Sequence, residues 1–452
     1  MRDLFMVGVL ALLFLAAFKR PFLMTLGYIY TDIVQPQQVS WYLLNSVPVS
    51  MIFGASAVLF YLLFDDKRNI RFGPLQWLML LFLVWVTFTT TRAQLPLPAW
   101  QKWDPAWKAI GFAIFLPLVL QTRLRIEAAM MFLVLCIGTI TITGGVKTLL
   151  GGGGYGTLNL LVDSNTGLYE GSTISAVAIS IIPLILYLYH HNQIVPRSRL
   201  TWLLTAGLIF ASLLIPIGTE ARTGLVCIAV LAGLWWLGTK HKLVYMSAVG
   251  LVALMALPLL PTSFTGRMAT IETYTADASA STRLAVWGWT LDFVKEHPLG
   301  GGFGVYRLNE VKVQLQKQTG EGPVTSTSTA VVTDRARAFH SAYFEVLGEQ
   351  GYPGLAIFLT MAVVALVQLR RLYKRFVRDA ENQWVASMAR ALGFTLIIYM
   401  VGSLFVGIGF QSTQYYIYAL TAALVQVASS RMPARQPVPP RPLWKTSVAA
   451  AQ

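Results

Sequence analysis

The sequence predicts an all-α fold, a polytopic α-helical membrane protein of about 12 transmembrane helices with one large outer loop. Three observations predict it. The 452 residues are 55% hydrophobic and 12% charged. That is about half the charge of an ordinary soluble domain, too little to cover a globular surface of this size. Apolar runs long enough to cross a bilayer recur along the whole chain, and Lys and Arg gather in alternate connecting loops, as membrane proteins distribute them. A soluble enzyme, a disordered chain and a secreted disulfide scaffold are excluded. The two cysteines, Cys136 and Cys227, sit inside apolar runs and make neither a disulfide framework nor a CxxC metal pair. A net charge of +15 would suggest nucleic acid in a soluble protein. Here it is read by location, with membrane lipids as the partner and no nucleic acid.

The runs fall at 3–18, 21–33, 41–64, 74–91, 107–121, 126–146, 171–190, 200–217, 223–239, 243–261, 351–369, 389–409 and 413–429. Lys19-Arg20-Pro21 splits the first two, which are two spans or one broken unit, so the count is about 12 or 13 and the side of the N-terminus stays open. No small-residue cleavage site follows residues 1–18. One parity places every basic loop after residue 60 on the same side: Lys67, Arg68 and Arg71; Arg123 and Arg125; Arg197 and Arg199; Lys240 and Lys242; Arg370 to Arg378; and the tail with Arg431, Arg435, Arg441 and Lys445. Taken as cytoplasmic, these leave 92–106, 147–170, 218–222, 262–350 and 410–412 outside. The chain then divides into an N-terminal bundle (1–261), an outer loop domain (262–350), C-terminal helices (351–430) and a Pro-rich, disordered cytoplasmic tail (431–452). Gly151 to Gly154 lack a following Lys-Ser/Thr and read as a flexible outer loop rather than a phosphate cradle.

The outer loop, about 90 residues long, is the one sizeable extramembrane piece, and loops of that length usually carry function. Ser281 to Pro298 predicts an amphipathic helix with Leu284, Trp287, Leu291 and Val294 on one face, capped by Ser279 or Ser281 and ended by Pro298. Arg283 falls in its first turn, where the helix dipole disfavours a cation. Pro298 to Gly304 reads as a tight glycine turn. Residues 312–333, rich in Thr, Ser, Gln and Gly, read as a mobile stretch able to form a lid. Arg335 to Gly351 then leads into a span.

Of five histidines, His190, His191 and His241 fall on the basic side, and His297 is a turn residue at a helix end. His340 alone faces out at a helix start, beside arginines. If 340–350 is one helix, His340, Tyr343, Phe344 and Leu347 share a face, and Glu349 lies about 180° round. Glu349 then caps or pairs with another loop, while Asp334 or Glu220 is left to hold the imidazole. Arg222, in the outer turn Thr219-Glu-Ala-Arg-Thr-Gly224, lies close to hydrocarbon, where a charge is costly unless paired or wetted. It either snorkels or pairs with Glu220, or it binds phosphate through its planar fork.

The ordered set of Arg222-Thr-Gly, Arg283-x3-Trp287, Pro298-x-Gly300-x-Gly302-x-Gly304 and His340-Ser-x-Tyr343-x3-Leu347-x-Glu349-x-Gly351 resembles the bacterial O-antigen ligase and polymerase superfamily. Its members are multi-spanning glycosyltransferases of the GT-C type, acting on the periplasmic face of the inner membrane. The resemblance covers about residues 200 to 420. The N-terminal part, with Lys19-Arg-Pro-Phe and Asp32-Ile-Val-Gln-Pro-Gln37, is similar to a subgroup of O-glycosylation ligases. Ser341 departs from the Asn often found after the His, and Glu220 from the small residue usual before the Arg. The resemblance implies an undecaprenyl-diphosphate-linked glycan as donor and no ATP, metal or other cofactor. The acceptor is a lipid A–core hydroxyl in ligases, a second lipid-linked repeat in polymerases, and a protein Ser or Thr in O-glycosylation ligases. His340 is then the general base, Arg222, Arg283 and Arg337 bind the diphosphate, and Glu220, Tyr343, Trp287 and Glu349 support them, the aromatics by stacking on sugar or by packing. A lipid-linked glycan transporter is the rival from another class; it would place ionisable groups along the spans, which are almost free of charge here.

Overall fold

The computed structural model describes residues 2–67, 71–151, 158, 167–244, 247, 278–319 and 326–431. The apolar run at 243–261 lies almost wholly outside these, as do Gly152 to Gly154 and the tail from 432. The described chain is mostly helical. Helices α1 (Arg2–Ala17) and α2 (Phe22–Ile33) are separate, divided at Lys19-Arg20-Pro21. A short α3 (Pro36–Val39) follows. The run at 41–64 is helical only as α4 (Val49–Phe64), because Pro48 starts the helix and turns occupy the residues before it. Helix α5 (Pro74–Thr91) matches its expected bounds, with Pro74 in the first turn where no N–H is missed.

Helix α6 (Pro96–Val119) begins well before the run at 107–121, taking in most of the expected 92–106 loop. After α7 (Arg123–Leu149), the run at 171–190 is two helices, α8 (Gly171–Ser180) and α9 (Ile182–His191), broken where Pro183 cannot donate to the preceding turn. Helices α10 (Arg199–Gly218) and α11 (Arg222–Gly238) flank the short Thr219–Ala221 turn. Helix α12 (Ala278–Glu296) opens the described part of the outer segment. Helix α13 (Ala342–Phe376) runs past both ends of the run at 351–369 and is broken at Gly351, whose φ is 67°. Helices α14 (Gln383–Gly402) and α15 (Ser412–Ser429) are the last of the described residues' elements.

Among the described residues, with α8 and α9 taken together as one continuous span, six helical segments are long and apolar enough to cross a membrane, with Val49–Phe64 and Arg222–Gly238 as shorter apolar ones. Their outward faces carry bare Leu62, Leu63, Leu203, Leu204 and Val363, a surface suited to hydrocarbon. Helix α15 forms the centre and is buried along nearly its whole length. Several of its buried polar groups are matched inside: Tyr416 Oη donates to Asp32 Oδ2 (2.7 Å), Tyr415 Oη to the Gly409 carbonyl (2.8 Å) and Gln414 Nε2 to Tyr418 Oη (2.8 Å). At the basic end Arg125 grips Asp65 with both terminal nitrogens (2.7 and 2.8 Å), and Glu127 accepts from Arg123 and Tyr187 (2.8 Å each).

Within the stretch 312–333, residues 312–319 and 326–333 form paired antiparallel strands, and 320–325 lie outside the described residues. Strands β1 (Glu310–Thr319) and β2 (Ser326–Arg335) pair in continuous register, with Val313 opposite Val332. Glu310-Val-Lys-Val-Gln-Leu-Gln alternates polar and apolar residues, the period of a strand, and β2 is rich in β-branched residues. The many Gln, Thr and Ser disguised that pattern as loop.

Candidate functional site

The site is built where the outer segment meets the bundle. Its base is the glycine turn between α12 and β1. Gly300, Gly302 and Gly304 all take positive φ. A Cβ on Gly300 would stand 2.5 Å from the Gly351 nitrogen and 2.6 Å from the Glu349 carbonyl oxygen, so no other residue fits. The turn wraps the break in α13: Gly301 N donates to the Gly348 carbonyl, Gly302 N to the Glu349 carbonyl and Tyr352 N to the Pro298 carbonyl. The helix carrying Glu349 is thereby pinned to the loop.

Glu349 sits at the heart of this joint, fully buried. It accepts from Gly304 N (3.0 Å), and both its oxygens lie 2.8 Å from Lys102 Nζ. Glu345, one helical turn earlier, takes the same ammonium at 2.7 Å and Gly409 N at 3.0 Å. Phe303 and Phe410 each place a ring 5.4 Å from the Lys102 nitrogen. One cation thus joins α6, the glycine turn, α13 and the 403–411 loop. The sequence reading gave Glu349 a pairing role with another loop, which this is, but missed Lys102. Its signal was a lone cation in Trp100-Gln-Lys-Trp103 at the expected outer end of a span.

His340 precedes α13 rather than lying on it. Ser341 is the N-cap, and His340 holds φ 48°, a left-handed conformation in which His is tolerated better than most residues. The expected shared face of His340, Tyr343, Phe344 and Leu347 is therefore absent. Tyr343 points into the bundle, donating to the Met400 carbonyl at 2.9 Å and meeting Phe358 edge-on. Trp287 stacks on Phe344 at 4.7 Å, nearly parallel, and its Nε1 donates to the Phe339 carbonyl at 2.8 Å. Both aromatics pack within the protein while staying half-buried, and Trp287 also holds the backbone next to His340.

Helix α12 buries Val286, Thr290 and Val294, whereas Leu284 and Leu291 are exposed. Of the expected apolar face Val294 is buried and Leu284 and Leu291 are not; the helix packs through Val286 on Val305, Val311 and Phe339 of the outer segment, a partner invisible in its own periodicity. Ser281 lies inside the helix rather than capping it, and Arg283 falls beyond the first turn, so the objection from the helix dipole does not arise. His297 stacks on Phe293 at the helix end, as a turn residue.

Three charges act on His340. Its side chain reaches the surface, yet surrounding protein limits its hydration, and this desolvation pulls the imidazole below its ordinary pKa. Arg283 and Arg337 push it down further, and Glu170 opposes them. Arg283 and Arg337 thus act on His340 through their charge. Arg337 is exposed, donates from Nε to Asp334 at 2.6 Å, and has its backbone held by Asn309. Asp334 is therefore engaged by arginine. Glu220 is buried in a left-handed turn with φ 51°.

The carboxylate whose charge acts on His340 is Glu170, which the sequence did not single out. It caps α8, accepting from Ser172 N, Thr173 N and Thr173 Oγ1. An acid followed by Gly-Ser-Thr at the outer start of an apolar run was its signal. Arg222 opens α11, and its turn packs on the start of α8. Thr219 Oγ1 lies 2.8 Å from Ser175 Oγ, and a Cβ on Gly171 would meet the Thr219 Cβ at 3.2 Å. The Arg222 turn and the Glu170 cap are neighbours. Among the described residues no three His, Cys, Asp or Glu side chains gather as a metal-holding group.

Residues 1–193 match the model of a family of unknown function (DUF5935), and residues 206–359 match that of the O-antigen ligase family. No curated protein matches the chain. The second match contains Arg222, Arg283, Arg337, His340 and Glu349, and over those residues the chain is similar to the O-antigen ligase family.

Proposed function

We propose that this protein is an O-antigen ligase, a glycosyltransferase that moves a glycan from undecaprenyl diphosphate to a hydroxyl of lipid A–core on the periplasmic face of the inner membrane. The observation that carries the reading is the setting of His340. It stands immediately before α13, is reached by the charges of Arg283, Arg337 and Glu170, and lies within the segment that matches the O-antigen ligase family. An imidazole whose pKa is held below 6.5 is neutral in a neutral periplasm and free to accept a proton. Arginines are suited to the leaving diphosphate because their forks bind phosphate oxygens in pairs and keep their charge.

In the proposed step the acceptor oxygen forms a bond to the anomeric carbon as its proton passes to the His340 imidazole. The bond from the anomeric carbon to the diphosphate oxygen breaks, and its electron pair leaves with undecaprenyl diphosphate. Arg222 and Arg283 stabilise the charge that develops there, with Arg337 as a third cation. One displacement inverts the anomeric centre. The diphosphate bond supplies the driving force, so neither nucleotide nor metal enters. A second reading, transfer to a protein Ser or Thr, is favoured by the N-terminal resemblance to O-glycosylation ligases.

The test is reconstitution with undecaprenyl-diphosphate glycan and lipid A–core, without nucleotide or metal, read as a mobility shift. Wild type is expected to transfer, and His340→Ala to be slower by roughly 10²–10⁴, the contribution of a general base. Transfer by His340→Ala at the wild-type rate removes the base. Transfer only to a protein acceptor replaces the first reading with the second.

A further inference from the structure

We propose that the end of the bundle opposite His340 holds a binding site for an anionic phospholipid. The inference rests on the membrane-spanning reading of the chain and is independent of the chemistry at His340.

Two adjoining cavities of about 380 and 530 Å³ share Trp235, Arg390 and Phe394, and each is large enough for part of a ligand. The topology places them far from the candidate active site. Helix α11 starts at Arg222 and reaches the cavity only at its far end, through Leu234 to Thr239. Helix α8 starts at the Glu170 cap, and only the α9 that follows it lines the cavity, from Pro183 to His191. Arg370 lies about 28 Å along α13 from the break at Gly351, at 1.5 Å per residue. Helix α14 ends next to the start of α13, where Ala342 N donates to the Ser403 carbonyl at 2.8 Å, and Arg390 is in its opposite half.

The lining has two characters. Leu366, Leu369 and Ile397 make an apolar wall, suited to an acyl chain. Arg370 and Arg390 supply cations at its edge. Among the described residues no carboxylate pairs with either arginine, in contrast to Arg123 and Arg125 nearby, which are both ion-paired. Two cations without acidic partners, beside an apolar groove between helices, match the phosphate of a lipid whose tails lie along the wall. Arg390 borders both cavities, so the headgroup is assigned to it, with Arg370 as the second contact.

The full-length protein, delipidated in detergent, can be titrated with dioleoyl-phosphatidylglycerol, dioleoyl-phosphatidylethanolamine and inorganic phosphate, and bound copies read by native mass spectrometry. Phosphatidylglycerol is expected to be retained in preference to the other two. Arg370→Gln/Arg390→Gln is expected to weaken its retention roughly 30-fold, as the loss of two cations near a lipid phosphate should. Arg370→Lys/Arg390→Lys keeps the charge, controls for misfolding and retains most of the binding. Arg375→Gln/Arg378→Gln, which removes equal charge outside the cavities, retains all of it. The proposal is overturned if the double Gln variant binds as wild type does, if the Arg375/Arg378 variant loses as much, or if phosphatidylethanolamine or free phosphate binds as well as phosphatidylglycerol.

Discussion

At the scale of single residues, His340 joins an uncommon backbone to an unusual electrostatic setting. Its left-handed φ is held from both sides: Trp287 fixes the Phe339 carbonyl, and the Ala342 N–H is tied to Ser403. The imidazole is moved below 6.5 first by desolvation, then by Arg283, with Glu170 pulling the other way. The sign of the pH dependence follows. A base with a lowered pKa stays competent as pH falls through 6.5 and is lost only when protonated at its own lower pKa. The acid limb of kcat/KM, which reports the free enzyme, is therefore expected below pH 6.5. Arg283→Gln removes a like charge and should move that limb up, though not fully back, since desolvation remains the larger cause. Glu170→Gln removes the opposing charge and should move it down. Both variants will be slower than wild type, but the opposite displacement of their midpoints is specific to a titrating His340. Limbs that coincide with wild type in both would show that another group limits the rate.

At the scale of elements, the joint around Lys102 decides whether the outer segment and the bundle act as one piece. Glu345 and Glu349 are buried carboxylates sharing one ammonium. Removing one partner of a buried pair leaves an uncompensated charge and costs about 3–5 kcal/mol, whereas replacing the whole set with neutral groups is often tolerated. Lys102→Met is thus expected to destabilise by about that much, read as a lowered unfolding midpoint in detergent. Lys102→Met/Glu345→Gln/Glu349→Gln should recover much of the loss, because Gln still accepts from Gly304 and Gly409. A triple variant less stable than Lys102→Met would mean that the charges themselves hold the joint. This joint was half legible. The glycine turn and Glu349's need for a partner follow from local spacing. The partner lies 247 residues away in sequence, and no local pattern points to it. The same limit explains α12. Its Leu284 and Leu291 form a plausible apolar stripe, but the buried stripe runs through Val286, Thr290 and Val294, because the hairpin and Phe339 pack there.

For the molecule as a whole, the helices were legible because apolar runs and prolines act locally. Pro74 and Pro48 set helix starts, and Pro183 marks the break after α8. The hairpin was not legible, because its polar strands resemble loop until they pair. Sidedness remains an inference from charge, and it governs both the candidate active site and the lipid cavities. Basic residues favour the cytoplasmic face, and they gather at Arg370 to Arg378, at and just past the end of α13 away from His340. Labelling can test this directly. Both native cysteines are buried, so an impermeant maleimide should leave the wild-type protein largely unlabelled. Asp292, with 76% of its side chain exposed on α12, and Arg375, near the far end of α13, offer sites for reporter cysteines. Asp292→Cys is expected to label in intact spheroplasts, and Arg375→Cys only after the membrane is permeabilised. The reverse pattern would turn the molecule over and set His340 facing the cytoplasm, where a periplasmic transfer cannot occur. Labelling of both sites in intact cells would break the topology itself, since it requires the two ends of α13 to lie on one side of the membrane.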